Sequence, residues 1–351
     1  MNQVCCKICG HLDLEFLFRA ESKRYAAGEY FHLYQCKKCS GVCIIPHLEF
    51  TANQKYYPQG YPPHDPNRTH TAKIRELIMK RLRDYVYGSR GNPDFKNTQS
   101  DKKLFSAMFD RLSYRSFPWP RGNRRLLDIG CGNGAYLMKV HELGWRGYGI
   151  ESNFTAALHA NKVWGIEVQA GDFETVAYPE KHFDAITMWH SLEHFPNPNK
   201  IIRKARKLLK DDGVLMIGLP NFSSLDRKLF RESWNGLEIP LHAFHFTPDS
   251  IHYLLEESGF EVRKILHTTR PTDMMKSIIN LLEDRYRIKS NQYLAMLLLA
   301  ISIPISILFA ICSRASIIKV FACKKDGGWR QPGITRSEVG VDLKALNFLN
   351  I

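Results

Sequence analysis

The stretch LLDIGCGNG, Leu126 to Gly134, decides the architecture. LLDI has the length and apolar character of a buried strand, and GCGNG follows with no spacer, so the chain turns sharply at the strand tip before the helical pattern AYLMKVHEL begins. Glycines permit that turn and let the backbone approach a nucleotide-type ligand closely. A GxGxG alone also fits a plain glycine-rich turn, and a dinucleotide site opens in the same way. Its neighbours must discriminate.

Three features support a ligand loop. Asp128 closes the first strand, Glu151 ends the second strand 21 residues after Gly130, and Gly171-Asp172-Phe173 follows the third. A carboxylate at the second strand's tip can bind both hydroxyls of a ribose, while Asp172 and Phe173 can hold the amino group and ring face of an adenine. The loop residues Gly130, Cys131 and Gly132 lie between these groups.

Outward from the loop, β and α patterns alternate. Strands are predicted at 124–130, 145–151, 167–172, 183–189, 213–219, 261–267 and 316–323, with helices between them, including a strongly basic one over 198–210. This is the pattern of a doubly wound α/β sheet. Upstream, TAKIRELIMKRLRDYVY predicts a basic helix beginning at residue 71 that covers one edge of that domain.

The N-terminus reads differently. Of nine cysteines, six fall within the first 43 residues, and Cys6-x2-Cys9 and Cys36-x2-Cys39 form two knuckles separated by 26 residues. Each knuckle is followed by a small residue, Gly10 or Ser40, that lets the backbone turn around a metal. Four thiolates suit tetrahedral Zn²⁺, and a closed four-cysteine site is structural because it keeps no open coordination position. Cys5 and Cys43 are read as bystanders, with Cys5 able to stand in for Cys6. The first 25 residues carry no export-signal pattern, so a reducing cytosol is expected.

DIGCGNG, the acidic end of strand two, GDF and HSLEHFPNP after strand four resemble, in that order and spacing, the class I methyltransferases that use S-adenosylmethionine. The resemblance continues through LLKDDGVLMIGLPN and HFTPDSIHYLLEESGFEV. At the N-terminus, CKICG, LYQCKKCSGV and YYPQGY look like the zinc module that precedes this domain in enzymes of bacterial surface-polysaccharide and deoxysugar pathways.

The resemblance implies a Rossmann-like, seven-stranded α/β sheet with its last strand antiparallel, preceded by a small four-cysteine zinc-binding module. The implied organisation is a zinc module over 1–60, a helical connector over 61–118, the methyltransferase domain over 119–325 and a tail over 326–351. It assigns Asp128, Gly130, Glu151, Asp172 and Phe173 to S-adenosylmethionine, with Trp189 and His190 bordering its methionine end.

Methyl transfer is an in-line displacement, so the protein must align donor and acceptor and supply a base when the acceptor is a hydroxyl or an acidic carbon. His190, Glu193 and His194 follow the tip of strand four, where such a base belongs. In sugar C-methyltransferases with a similar front module, a Glu-His pair at this position serves acceptor deprotonation, and Glu193-His194 matches it. The same residues also suit a purely packing role. After strand five, WNGLEIPLHAFHFTP brings Trp234, Glu238, His242 and His245 to an expected acceptor loop.

A net charge of +14, from 49 basic and 35 acidic residues, raises the possibility of a polyanionic partner. After strand four the sequence has neither the Asx-Pro-Pro-aromatic motif of base amino methylation nor a Pro-Cys nucleophile. These absences count against nucleic-acid acceptors, and the resemblance implies a sugar or glycan precursor, free or lipid-linked, methylated at oxygen or carbon. An rRNA base methyltransferase and a non-catalytic zinc and S-adenosylmethionine-binding module are the alternatives.

Residues 290–313, SNQYLAMLLLAISIPISILFAICS, carry no charge and are flanked by Arg285, Arg287, Lys289, Arg314 and Lys319. The length can span a bilayer, yet the strands on either side belong to one sheet. With Pro304 expected to bend the run into two short legs, the reading is a monotopic element on the cytoplasmic face of the cell membrane. The alternative is a soluble helix pair covering the sheet or a dimer interface.

Overall fold

The structure, a computed structural model, describes residues 5–22, 25, 28–47, 56–57, 115–116, 118 and 124–327. The expected basic helix after residue 71, most of the 61–118 connector and nearly all of the 326–351 tail lie outside the described residues. Three strands come first: β1 (Leu14–Glu21), β2 (Tyr30–Cys36) and β3 (Val42–Ile45). The alternating region follows as β4 (Arg125–Ile129), α1 (Ala135–Glu142), β5 (Arg146–Glu151), α2 (Phe154–Trp164), β6 (Glu167–Ala170), β7 (Phe183–Trp189), α3 (Pro198–Leu208) and β8 (Leu209–Pro220). The chain continues through α4 (Leu225–Phe230), β9 (Phe244–His245), α5 (Pro248–Glu257), β10 (Phe260–Thr268), α6 (Pro271–Tyr286), α7 (Gln292–Ile311) and β11 (Ile317–Lys324).

Seven strands make one sheet in the order β10-β11-β8-β7-β4-β5-β6. β4 pairs in parallel with both β5 and β7, whereas β11 is antiparallel to β8 and β10. This is a Rossmann-like α/β sheet in which strand order reverses between β4 and β7, with a single antiparallel strand contributed last. Every residue of the central strand FDAITMW is buried, as expected where helices cover both faces of a parallel sheet. β8 is longer than expected at its start because LKDDG joins it through a register shift opposite Phe183 and Ala185.

The first three strands join β9, from the loop after β8, in a second sheet of order β1-β2-β3-β9. β3 and β9 register Val42 with His245 and Cys43 with Phe244. One core unites Cys6, Ile8, Cys36 and Cys39 with Ile201, Ile251, Phe244 and Phe246 around the main sheet. Another packs Phe31, Leu33, Val42 and Ile44 against Phe222, Trp234, Leu237 and Ile239. Each such aliphatic side chain contributes about 1.5–3 kcal/mol when fully buried, so this packing ties the N-terminal strands to the loop that follows β8.

The 290–313 region departs from the expected bend. α7 is one continuous helix with Pro304 inside it. Proline removes one amide donor, and Pro304 sits on the exposed side of the helix, where no neighbouring element has to accommodate its ring.

Candidate active site

The loop between β4 and α1 is built on left-handed glycines. Gly130, Gly132 and Gly134 have φ of 75°, 57° and 78°, a region costly for residues with a Cβ. Gly130 is doubly constrained, because a Cβ there would lie 2.6 Å from the Cβ of Ser191 at the tip of β7. The close approach of these two strand tips leaves room for backbone alone.

Glu151 is buried at the end of β5, and its carboxylate accepts from Gly132 N at 2.8 Å and Asn153 N at 2.8 Å. Asp128 lies beneath the loop, accepting from the Thr187 hydroxyl at 2.6 Å, and burial pushes its carboxyl up to about 7. Cys131 turns its thiol into the core, where a Cβ on Gly149 would sit 2.6 Å from Sγ, so Cys131 offers the ligand backbone only. Asp172 caps its own turn by accepting from Glu174 N at 2.9 Å, and Phe173 is buried beside it. The residues expected at the cofactor end thus gather around the tips of β4, β5 and β6. Glycines without side chains, an inward carboxylate at a strand end and a buried aromatic fit an adenosyl ligand.

The acceptor candidates converge as well. His190 follows β7 with φ 55° and places Nδ1 3.3 Å from Glu193 Oε1. The next short turn, Leu192–His194, buries Glu193 completely and brings His194 against His242, ring centroids 4.8 Å apart. His242 Nε2 lies 4.0 Å from Glu193 Oε1 and 3.6 Å from Glu238 Oε2. Donor atoms of Glu193, His194 and His242 all fall within 4.8 Å of one another.

Backbone carbonyls set the histidine tautomers. His194 Nδ1 lies 2.9 Å from Leu241 O, and His242 Nδ1 lies 2.9 Å from Gly236 O. A carbonyl oxygen only accepts, so both Nδ1 atoms carry hydrogen, and in the neutral ring the lone pair is on Nε2. Burial holds His242 down to about 4 and, with Arg270 nearby, holds His190 well below the ordinary imidazole range. Burial raises Glu193 to about 8. Neither carboxylate oxygen of Glu193 has a hydrogen-bond partner among the described residues.

His245 has a different place from His242. It sits in β9, fully buried, with Nε2 3.0 Å from Leu237 O, and Trp234 packs edge-on to Phe222 in the core under the N-terminal strands. Both hold the loop that follows β8 rather than join the Glu193 cluster.

Two residues escaped the sequence reading. Tyr57 places its hydroxyl 3.1 Å from His194 Nδ1, a contact that spans 137 positions of chain. Lys204, on the basic helix α3, reaches the carbonyls of Phe173, Glu174 and Val176 and so ties down the segment after β6. The aromatic pair YY and the excess of lysines were visible, but neither indicates a partner so distant in sequence.

The four knuckle cysteines meet at the N-terminus, with Cys6 Sγ 3.6 Å from Cys39 Sγ and Cys9 Sγ 3.4 Å from Cys36 Sγ. All four sulfurs lie within 4.8 Å of one another, near the ~3.8 Å edge expected of a tetrahedron with 2.3 Å zinc–sulfur bonds. The knuckles repeat one geometry: Gly10 N donates to Cys6 O at 2.8 Å, Ser40 N donates to Cys36 O at 2.9 Å, and Gly10 and Ser40 both have left-handed φ. Cys43 stands outside the set, its thiol toward Tyr34 O. Asn199 of α3 donates to the carbonyls of Lys7 and Ile8, locking the first knuckle to the main domain.

Residues 100–265 match a family model described as a methyltransferase domain. Residues 100–265 therefore carry a methyltransferase domain. It is 36% identical over 106 residues to the ubiquinone biosynthesis O-methyltransferase of Neisseria meningitidis serogroup A / serotype 4A, covering 28% of this chain and 44% of that protein. To the enzyme of the same name from Idiomarina loihiensis it is 31% identical over 136 residues, 37% of this chain and 53% of that one. The chain thus spans about half the length of the curated relatives it matches. A solved SAM-dependent methyltransferase from Archaeoglobus fulgidus aligns over 71% of this chain and 94% of its own, with 21% identity and a TM-score of 0.42. The family match covers neither the N-terminal strands nor α7.

Proposed function

We propose that this methyltransferase domain methylates a hydroxyl oxygen of a sugar or glycan precursor, free or lipid-linked, with the Glu193–His194–His242 cluster handling the acceptor proton. When bound, S-adenosylmethionine supplies an electrophilic methyl group on a sulfonium. Glu151, Gly130, Gly132, Asp172 and Phe173 are the residues to hold its adenosyl part, and Asp128 supports the loop from below.

The observation that carries the reading is Glu193. A buried carboxyl whose oxygens make no hydrogen bond among the described residues, with only His190 Nδ1 3.3 Å from Oε1, is costly unless protonated or met by a ligand's hydrogen-bond donor. An acceptor hydroxyl supplies such a donor. His194 and His242, each with Nδ1–H fixed by a carbonyl, present Nε2 lone pairs as proton acceptors, and His190 and Glu193 position the attacking oxygen. The polar lining of His190, His194, His242, Glu193 and Glu238 suits a polyhydroxylated acceptor.

A phenolic hydroxyl of a quinone precursor is a second reading, favoured by the names of the matched relatives. An RNA substrate is less favoured because three of the six cations of the basic stretch 198–210 serve internal contacts: Lys204 to three carbonyls, Arg206 to Gly259 O and Lys210 to Asp184. We also infer that the four cysteines hold a structural Zn²⁺, on the donor chemistry and sulfur spacing alone.

The test is transfer of label from methyl-labelled S-adenosylmethionine to nucleotide sugars, lipid-linked glycans, quinone precursors and rRNA. Label in the sugar or glycan pool is expected, with His194→Asn retaining cofactor binding while turnover falls about 100-fold or more. Label confined to quinone precursors or rRNA overturns the acceptor assignment. Unchanged turnover in His194→Asn overturns the role of the cluster.

A further inference from the structure

We propose that α7 is a membrane-docking helix that lies in the plane of an anionic lipid surface. α7 is a 20-residue helix of about 30 Å whose large apolar side chains point away from the protein. Tyr293 is 75% exposed, Met296 69%, Leu297 59%, Leu308 55% and Ile311 57%, whereas the buried positions are the small Ser302, Ser306 and Ala310. Ser302 and Ser306 satisfy their hydroxyls on the helix's own carbonyls, of Leu298 and Ile303. A helix that buries its small residues and exposes its leucines and isoleucines is inverted relative to one packed on a water-soluble core.

Topology excludes a single crossing of the bilayer. β10 and β11 are paired neighbours with Thr268 opposite Ile317, so the excursion through α6 and α7 leaves and re-enters the sheet at one point. A crossing by α7 would require α6 to cross back, and α6 carries Asp273, Lys276, Glu283, Asp284 and Arg285. The helix can therefore only lie along an interface, its apolar face in the acyl boundary.

Charge selects lipid over a second copy of the chain. From Arg285 to Lys325 the sequence has no acidic residue. Exposed Arg285, Arg287 and Lys289 precede α7 and outnumber the exposed Glu283 and Asp284 beside them, and exposed Arg314 follows it. Such a cationic rim is complementary to anionic headgroups, each charge contributing about 1 kcal/mol near the surface, and it would repel the same rim on a second protomer. Tyr286 and Tyr293, both exposed, are amphipathic rings of the kind that settle at headgroup depth.

The surface also connects mechanically to the acceptor loop. From α6, Ser277 Oγ accepts from Asn235 N at 2.9 Å, Asn280 donates to Ser233 O at 3.0 Å, and Asp284 accepts from Ser233 Oγ at 2.9 Å. The docking assignment does not depend on which acceptor the site takes.

Co-sedimentation of the full chain with vesicles tests the proposal, using phosphatidylcholine alone and phosphatidylcholine with about 30% phosphatidylglycerol. At least about tenfold tighter binding to the anionic vesicles is expected, weakened by salt. The double variant Leu297→Glu/Leu308→Glu, at exposed positions remote from the cofactor loop, should bind at least about tenfold more weakly while retaining S-adenosylmethionine binding as proof of folding. Failure of the parent protein to sediment with anionic vesicles overturns the proposal, as does equal sedimentation of parent and variant. So does a lipid-independent dimer that the variant dissociates while neither form binds vesicles.

Discussion

Gly132 and Glu151 are joined by a 2.8 Å hydrogen bond from the loop amide to the strand-tip carboxylate. The carboxylate available to a ribose therefore also braces the loop that faces the ligand, and Asn153 N holds its other oxygen at 2.8 Å. Replacing Glu151 by Ala removes the brace together with the two charge-assisted contacts proposed for the ribose hydroxyls. Since such bonds contribute at least about 1.5 kcal/mol each, affinity for S-adenosylmethionine should fall about 100-fold or more by titration calorimetry. Glu151→Asp, which shortens the reach, should recover little of it.

Lys204 gives a second test of the cofactor end. Its ammonium lies against three carbonyls in the turn that carries Asp172 and Phe173. Lys204→Met keeps the aliphatic stem and removes the donors. Cofactor affinity should weaken by roughly 3- to 10-fold, about one lost hydrogen bond, with kcat at saturating cofactor little changed. A fall in kcat with unchanged affinity would show that this turn does not contact the cofactor.

The buried cluster makes stability depend on pH at both ends. His242 is held down to about 4 from an ordinary 6.5, so the folded state resists its protonation, and stability present above 6.5 is lost as the pH falls toward 4. Glu193 is raised to about 8 from 4.5, so the stability it allows below 4.5 is lost as the pH rises through 8. Each group changes the slope by at most about 1.4 kcal/mol per pH unit within its window. Denaturant unfolding should show a flatter acid limb in His242→Asn and a flatter alkaline limb in Glu193→Gln. His245, also pushed down to about 3, leaves part of the acid limb in place.

Metal content tests the N-terminal site. One zinc per chain is expected by elemental analysis, with Cys36→Ser or Cys39→Ser abolishing it. Because the knuckles share a core with α3, α5 and β9, removal of zinc by a chelator should lower Tm by at least about 5 °C rather than release an independent module. A metal-free protein with an unchanged Tm after Cys36→Ser would rule out the structural zinc.

The cofactor half was legible in the sequence because its signals are local. A strand running into GCGNG, an acid at the next strand's end and a GDF turn are short-range patterns whose spacing follows from backbone geometry, and the seven strands lie where the hydrophobic runs predicted them. The four-cysteine set was legible for the same reason. Two knuckles are self-contained turns, and only their mutual approach needed the fold.

The acceptor end was another matter. HSLEHFPNP and WNGLEIPLHAFHFTP offered several histidines of equal chemical promise, and nothing in their spacing separates His242, which faces Glu193, from His245, which hydrogen-bonds Leu237 in a second sheet. That distinction arises because β9 pairs with β3, roughly two hundred residues earlier in the chain. The same long-range pairing makes the N-terminal strands part of the support of the loop after β8, and Tyr57 reaches His194 across 137 positions. Sequence by itself determined the strand order of reading, the glycine loop and the cysteine knuckles, each set by neighbours a few residues apart. Tertiary structure alone decided which histidines share a carboxylate and which face of α7 meets the outside, because both depend on packing between segments that local propensity does not link.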